Sequence, residues 1–217
     1  MLSDRVNRKK TEWQLGQRQD KLKEITFKKF EAFKHDKLTA HELENSNLVK
    51  VVSDTYKKLG GQLDTLPTNY GPWDISTKDF IIELDEERHF NRYRLETLQS
   101  SYYDNKMNFS IIDYKDFCKD FESNCLSTAS WGKNWKNDST EKMFLTSNEN
   151  GNLLGNGSSR WRQRAYYDFM KDITSKIKNI PIIRISVHDH FRGKTIDSIL
   201  SGNDNKTIND FIDEIRK

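Results

Sequence analysis

WDISTKDFIIELDEERHFNRYR, residues 73–94, is the stretch on which the fold of this chain turns. WDIST and FIIELD read as two short strands, joined by a tight turn at Lys78-Asp79. Strand alternation puts Glu83 and Asp85 on one face, and antiparallel pairing lets Asp74 converge on that face. Three carboxylates meeting at a sheet edge repel one another. Such a cluster is costly unless a divalent cation neutralises it. Oxygen ligands alone favour Mg²⁺ or Mn²⁺ over Zn²⁺, so Asp74, Glu83 and Asp85 are the expected metal ligands. His89 follows four residues after Asp85, where a helix is expected to start. There it can serve the same pocket as base or acid near pH 7.

Attack on a phosphodiester needs an activated water and neutralisation of charge on the phosphate oxygens. A carboxylate-held Mg²⁺ does both. Arg92 and Arg94, just beyond His89, are placed to contact backbone phosphates.

Outward from this stretch, residues about 4–36 read as a charged amphipathic helix, with Leu22, Ile25, Phe30 and Phe33 near helical spacing. A second helix is expected from Thr39 or His41 to Leu59, stopped by Gly60-Gly61. EERHFNRYRLETLQSSYY looks helical. Residues about 104–158 are rich in Asn, Ser, Gly and Lys and read as an irregular insert, with a short helix near Tyr114–Phe121. RWRQRAYYDFMKDITSKI is helical in pattern, with Asp168 and Lys171 one turn apart and expected to pair. IPIIRISVHD is a buried strand and TINDFIDEIRK a closing helix. The order predicts an α/β (α+β) domain over residues 39–217, a sheet flanked by helices, behind an N-terminal helical extension over residues 1–38.

Composition is permissive. The 217 residues are 34% hydrophobic and 32% charged. The net charge of +3 is too small to argue for nucleic acid, although 36 basic and 33 acidic residues can separate into a basic face and an acidic pocket. No run approaches the roughly 20 apolar residues of a membrane helix, and MLSDRVNRKKTEW has no signal-type apolar core. A soluble cytoplasmic protein without membrane contact or organic cofactor is expected. Cys118 and Cys125 make no disulfide scaffold, and their spacing is not that of a zinc knuckle with His188 and His190. Trp131, Trp135 and Trp161 interleave with Lys133, Lys136, Arg160, Arg162 and Arg164. That pattern suits stacking on bases and contact with phosphates, or equally the packing of the insert on the domain.

The hairpin also resembles a known family. Very-short-patch-repair endonucleases, and the related domain of unknown function 559, carry an aspartate, a short gap and an E-x-D-G-x-x-H string. Here Asp74 and then ELDEERH, with Glu83, Asp85 and His89, match it. Glu86 stands in the glycine position. The resemblance implies a PD-(D/E)xK, restriction-endonuclease-like mixed sheet with Asp74 and Glu83 as metal ligands. Asp85 then occupies the usual lysine position, which leaves His89 for proton transfer. It implies a helix glutamate, Glu44 or else Glu42, and phosphate contacts from Arg160 and Arg164. The implied action is Mg²⁺-dependent (or Mn²⁺-dependent) endonucleolytic cleavage of DNA in restriction, defence or repair, with a homodimer as a natural way to cut two strands. The alternatives are an inactive nucleic-acid- or protein-binding module of the same fold, and a toxin-type ribonuclease.

Overall fold

The computed structural model describes residues 17–105, 107–202 and 205–215, and the hairpin forms where the sequence places it. The N–H and hydroxyl of Thr77 donate to the Phe80 carbonyl, and the Phe80 N–H donates back to Thr77 Oγ1, which closes the Lys78-Asp79 turn. β1 (Ile75–Ser76) and β2 (Ile81–Asp85) pair antiparallel, Ile75 opposite Ile82. β3 (Ile182–Ser186) pairs in parallel with the other edge of β2, setting Glu83 opposite Arg184 and Asp85 opposite Ser186. Every residue of β2 is buried, as befits a central strand covered on both faces. The fold is thus a small mixed sheet among many helices.

Five elements depart from the expectation. The expected helix over residues 4–36 is represented by α1 (Gln17–Phe27), residues 1–16 lying outside the described residues. It ends where the Thr26 carbonyl takes the N–H groups of Lys29 and Phe30. The chain then runs along β1, where Phe33 N–H donates to Ser76 O and Ala32 bridges Thr77. Open backbone groups at the β1 edge thereby find partners. The helix expected up to Leu59 is two, α2 (Ala40–Glu44) and α3 (Val49–Lys58). Ser46 interrupts it by donating to Leu43 O and accepting from Leu48 N–H. Gly60, at φ +80°, stops α3 as expected, and a Cβ on Gly61 would sit 2.4 Å from the Tyr56 ring.

The helix expected at residues 86–103 is likewise broken. Glu87–His89 is one 3-10 turn, Asn91 caps α4 (Arg92–Thr97) by accepting from Tyr93 and Arg94 N–H, and Ser101–Asp104 is another 3-10 turn. The insert is more regular than its composition suggests. It holds α5 (Ile111–Asp120), α6 (Glu122–Ala129), a 3-10 turn at Gly132–Asn134 and α7 (Asp138–Met143). α8 (Ser159–Lys178) runs from a Ser158 cap to Asn179, which takes the left-handed conformation at φ 53°. Beyond β3 the chain adds an unanticipated hairpin, β4 (His190–Phe191) and β5 (Lys194–Thr195). α9 (Ile196–Ser201) and the closing helix α10 (Asn205–Ile215) follow. No helix among the described residues is long and apolar enough to cross a membrane.

The aromatic and cysteine side chains divide between core and surface. Trp135 and Trp161 are fully buried and meet edge to face at 5.3 Å. Arg162 donates to Leu59 O and Asn156 O and lies over the Tyr93 ring. Packing of the insert therefore takes those three, and Trp131 stays at the surface. Burial pushes the thiols of Cys118 and Cys125 up to about 12, and His188 stacks flat on Phe121 at 3.7 Å. Trp161→Ala is expected to cost about 3–5 kcal/mol and Trp131→Ala less than about 0.5 kcal/mol in urea unfolding. Equal effects would place both indoles in the same environment.

Candidate active site

The hairpin register brings Asp74 and Glu83 together. Asp74 N–H donates to Glu83 Oε1 at 3.1 Å, and Asp74 Oδ2 accepts from Leu84 N–H at 2.9 Å. From α8, Lys171 Nζ reaches Glu83 Oε2 at 2.5 Å. Lys171 therefore pairs with Glu83 and not with Asp168, because α8 turns both side chains inward onto the sheet. Burial raises the Glu83 carboxyl to about 7 against the opposing pull of Lys171. Burial works against the Lys171 ammonium, but Glu83, Asp74 and Asp168 outweigh it and raise it.

Asp85 lies next along the strand and has different partners. Arg184 Nη1 donates to both of its oxygens at 2.8 Å, while Arg184 Nε donates to Asp172 at 2.6 Å and Nη2 to Asp168 O at 2.7 Å. His89 Nδ1 stands 2.8 Å from Asp168 Oδ2 and 3.3 Å from Asp85 Oδ1. Burial disfavours the imidazolium, yet Asp168 first and Asp85 next outweigh it, so His89 is raised above its ordinary value. Asp168 is lowered in turn: burial pushes it up, and His89 overcomes that.

The three hairpin carboxylates were expected to require a metal ion for neutralisation. Two of them have protein cations instead, Lys171 on Glu83 and Arg184 on Asp85. Asp74 has no bonded cation among the described residues, since its donors are the Leu84 N–H and the Gln19 amide at 2.9 Å, both neutral, with Lys171 acting on it only through space. The bonded network sets five carboxylates (Asp74, Glu83, Asp85, Asp168, Asp172) against three permanent cations (Lys171, Arg184, Arg94). That surplus fits a protonated His89 or a divalent cation. Asp85, His89 and Asp168 also offer ligand atoms all within 4.8 Å of one another.

Other expected residues lie elsewhere. Glu44 is exposed on α2 and borders a cleft with Leu63, Asp64 and Thr65. Glu42 pairs with Lys178. Neither bonds to a hairpin carboxylate; the helix side chain that bonds Asp74 is Gln19 of α1. Beside it, Arg18 spans Glu86, Glu87 and Asp197 at 2.6–3.0 Å. Arg94 is buried against Asp172 and Tyr103, so it is a structural cation and does not face a phosphate. Arg92 is held by Glu122 through two nitrogens. Lys171, Asp168 and Arg184 belong to the centre; the signal in the sequence is the set of charges Asp168, Lys171 and Asp172 among Ala165, Tyr166, Phe169, Met170 and Ile173.

The His89–Asp168 pair makes a pH-dependent contribution. With His89 raised, that contribution is complete below the imidazole's ordinary value and is lost as pH rises through the raised one. Asp168→Asn is expected to lower the His89 titration midpoint, read from imidazole resonances in an NMR titration. An unmoved midpoint would show that Asp168 does not hold the proton there.

Residues 54–202, well over half of the chain, match the family of unknown function DUF7255. The match includes the hairpin, α8 and β3, and leaves out α1 with Arg18 and Gln19. No curated protein and no solved structure matches the chain.

Proposed function

We propose that the chain, which belongs to the family of unknown function DUF7255, is a divalent-metal-dependent endonuclease acting on DNA, built on a restriction-endonuclease-like core. The observation that carries this reading is Lys171 on Glu83, with Asp74 beside them. PD-(D/E)xK chemistry uses an aspartate, an acidic residue and a lysine. The hairpin lacks that lysine in its sequence, and α8 delivers an ammonium to the same carboxylate.

The roles follow from the contacts. Asp74 and Glu83 would hold Mg²⁺ or Mn²⁺, which when bound supplies an acidified water and charge neutralisation at the phosphate. Lys171 orients the attacking water and offsets charge on the phosphate oxygens. His89, whose imidazolium Asp168 and Asp85 favour, is placed to donate a proton to the departing oxygen. Asp85, pinned by Arg184 through both oxygens, orients His89 and is a weaker ligand candidate than its place in the motif implies. That same pinning favours a second reading, a binding module of the same fold whose carboxylates are satisfied without metal.

Plasmid and labelled DNA, incubated with Mg²⁺ or Mn²⁺, should be cut by the wild type and not in the presence of a chelator. Asp74→Ala, Glu83→Gln and Lys171→Met should each lower the rate by about 100-fold or more, the scale of lost transition-state stabilisation. His89→Ala should cost about 10²–10⁴-fold. Equal cleavage by all variants would overturn the assignment, and DNA binding without cleavage would leave the second reading.

A further inference from the structure

Arg88 and Arg164 lie close to His89 without belonging to its acidic network, and Arg160 lies beside Arg164. Arg160 and Arg164 stand one turn apart on α8, on the face that continues to Asp168 and so to His89. Arg88 directly precedes His89 in its 3-10 turn. Among the described residues none of the three is ion-paired. Arg160 donates to Gln163, and Arg88 donates to Asn134 Oδ1 at 3.4 Å, both neutral acceptors. Arg18, Arg92, Arg94 and Arg184, by contrast, are each bound to carboxylates. Burial, and then the nearby Arg164 charge, lower both Arg88 and Arg160. Glu86 and Glu87 offset this only in part at Arg88. Half-buried like charges with no bonded counter-ion are costly, and an anion between them relieves that cost.

The insert adds an aromatic group at the same corner. Trp131 is 62% exposed. It opens the 3-10 turn that carries Asn134, whose side chain meets Arg88, and the Trp135 carbonyl accepts the Arg160 N–H at 3.2 Å. Segment 131–136 is therefore fastened to Arg88 and to the first turn of α8. Lys133 and Lys136 are exposed on it and border an open depression.

We propose that Arg88, Arg160 and Arg164 form a phosphate subsite beside His89, with Trp131 as its stacking surface, and that together they grip an unpaired polynucleotide strand. A guanidinium fork matches two phosphate oxygens at once. An indole needs a free base face, which a duplex hides within its stack and an unpaired strand presents. The inference deepens the nuclease reading, on which it rests for its link to cleavage, by naming the substrate class as a single or locally opened strand.

The test measures binding in a chelator, where no cutting occurs, by fluorescence anisotropy. The probes are labelled single-stranded DNA, single-stranded RNA and blunt duplex DNA, each of about 12 nucleotides or base pairs. Either single strand should bind more tightly than the duplex. Trp131→Ala should weaken single-strand binding about tenfold and leave the duplex unchanged. Arg88→Gln with Arg164→Gln should weaken all three and flatten the salt dependence by about one slope unit per arginine. Lys50→Ala, on the outer face of α3, should change nothing. Trp131 is exposed, so its variant keeps the fold, which a thermal melt checks for every protein. Duplex preference, or wild-type affinity in the Trp131 and arginine variants, overturns the subsite. Cleavage by Mn²⁺-loaded protein without these binding effects removes the subsite alone. The binding effects without cleavage remove the nuclease reading alone.

Discussion

A single guanidinium holds the centre in register. Arg184 is fully buried on β3, and its three nitrogens close on the Asp85 carboxylate of β2 and on the Asp172 carboxylate and Asp168 carbonyl of α8. A charge so deep is tolerated only with complete partners. β2, far back in the chain, is thus required to meet the consecutive elements α8 and β3 at one point. Arg94 and the Tyr103 hydroxyl occupy the remaining oxygen of Asp172. The result is a polar seam through an otherwise apolar interior, with α4 and β3 locked against α8.

What lies above the seam follows from it. Asp168 is fixed by its own backbone bond to Arg184, so its side chain meets His89 in one geometry. Lys171, one turn further along α8, is delivered to Glu83 for the same reason. The outer edge is finished by α1. Arg18 gathers Glu86, Glu87 and Asp197, and Gln19 takes the last bonded oxygen of Asp74. The acidic run after β2, which reads as a helix start, is in fact a landing place for that helix.

Strand alternation and a two-residue turn were enough to place Asp74 beside Glu83, because hairpin register is a local matter. The helix breaks at Ser46 and Asn91 were less legible, since side chains that bond the backbone compete with helical periodicity without disturbing its apolar pattern. Lys171 and Arg184 could not be assigned from spacing at all. Their partners lie 88 and 99 residues away, and no periodicity reports a contact of that range. The resemblance points to a helical glutamate such as Glu44, but the helix whose side chain bonds Asp74 is α1, and the residue is an amide.

The parallel pairing of β2 with β3 has a temporal side. Asp85 leaves the ribosome long before Arg184 does, and a parallel partner needs the whole intervening crossover in place before it can dock. Until then Asp85, Asp172 and Glu83 have no buried cation network to enter, and burying them alone is unfavourable. A growing chain therefore carries the hairpin motif throughout the synthesis of the 99 residues that follow Asp85 up to Arg184 without carrying the site. The centre comes into being only once β3 has emerged and docked beside β2.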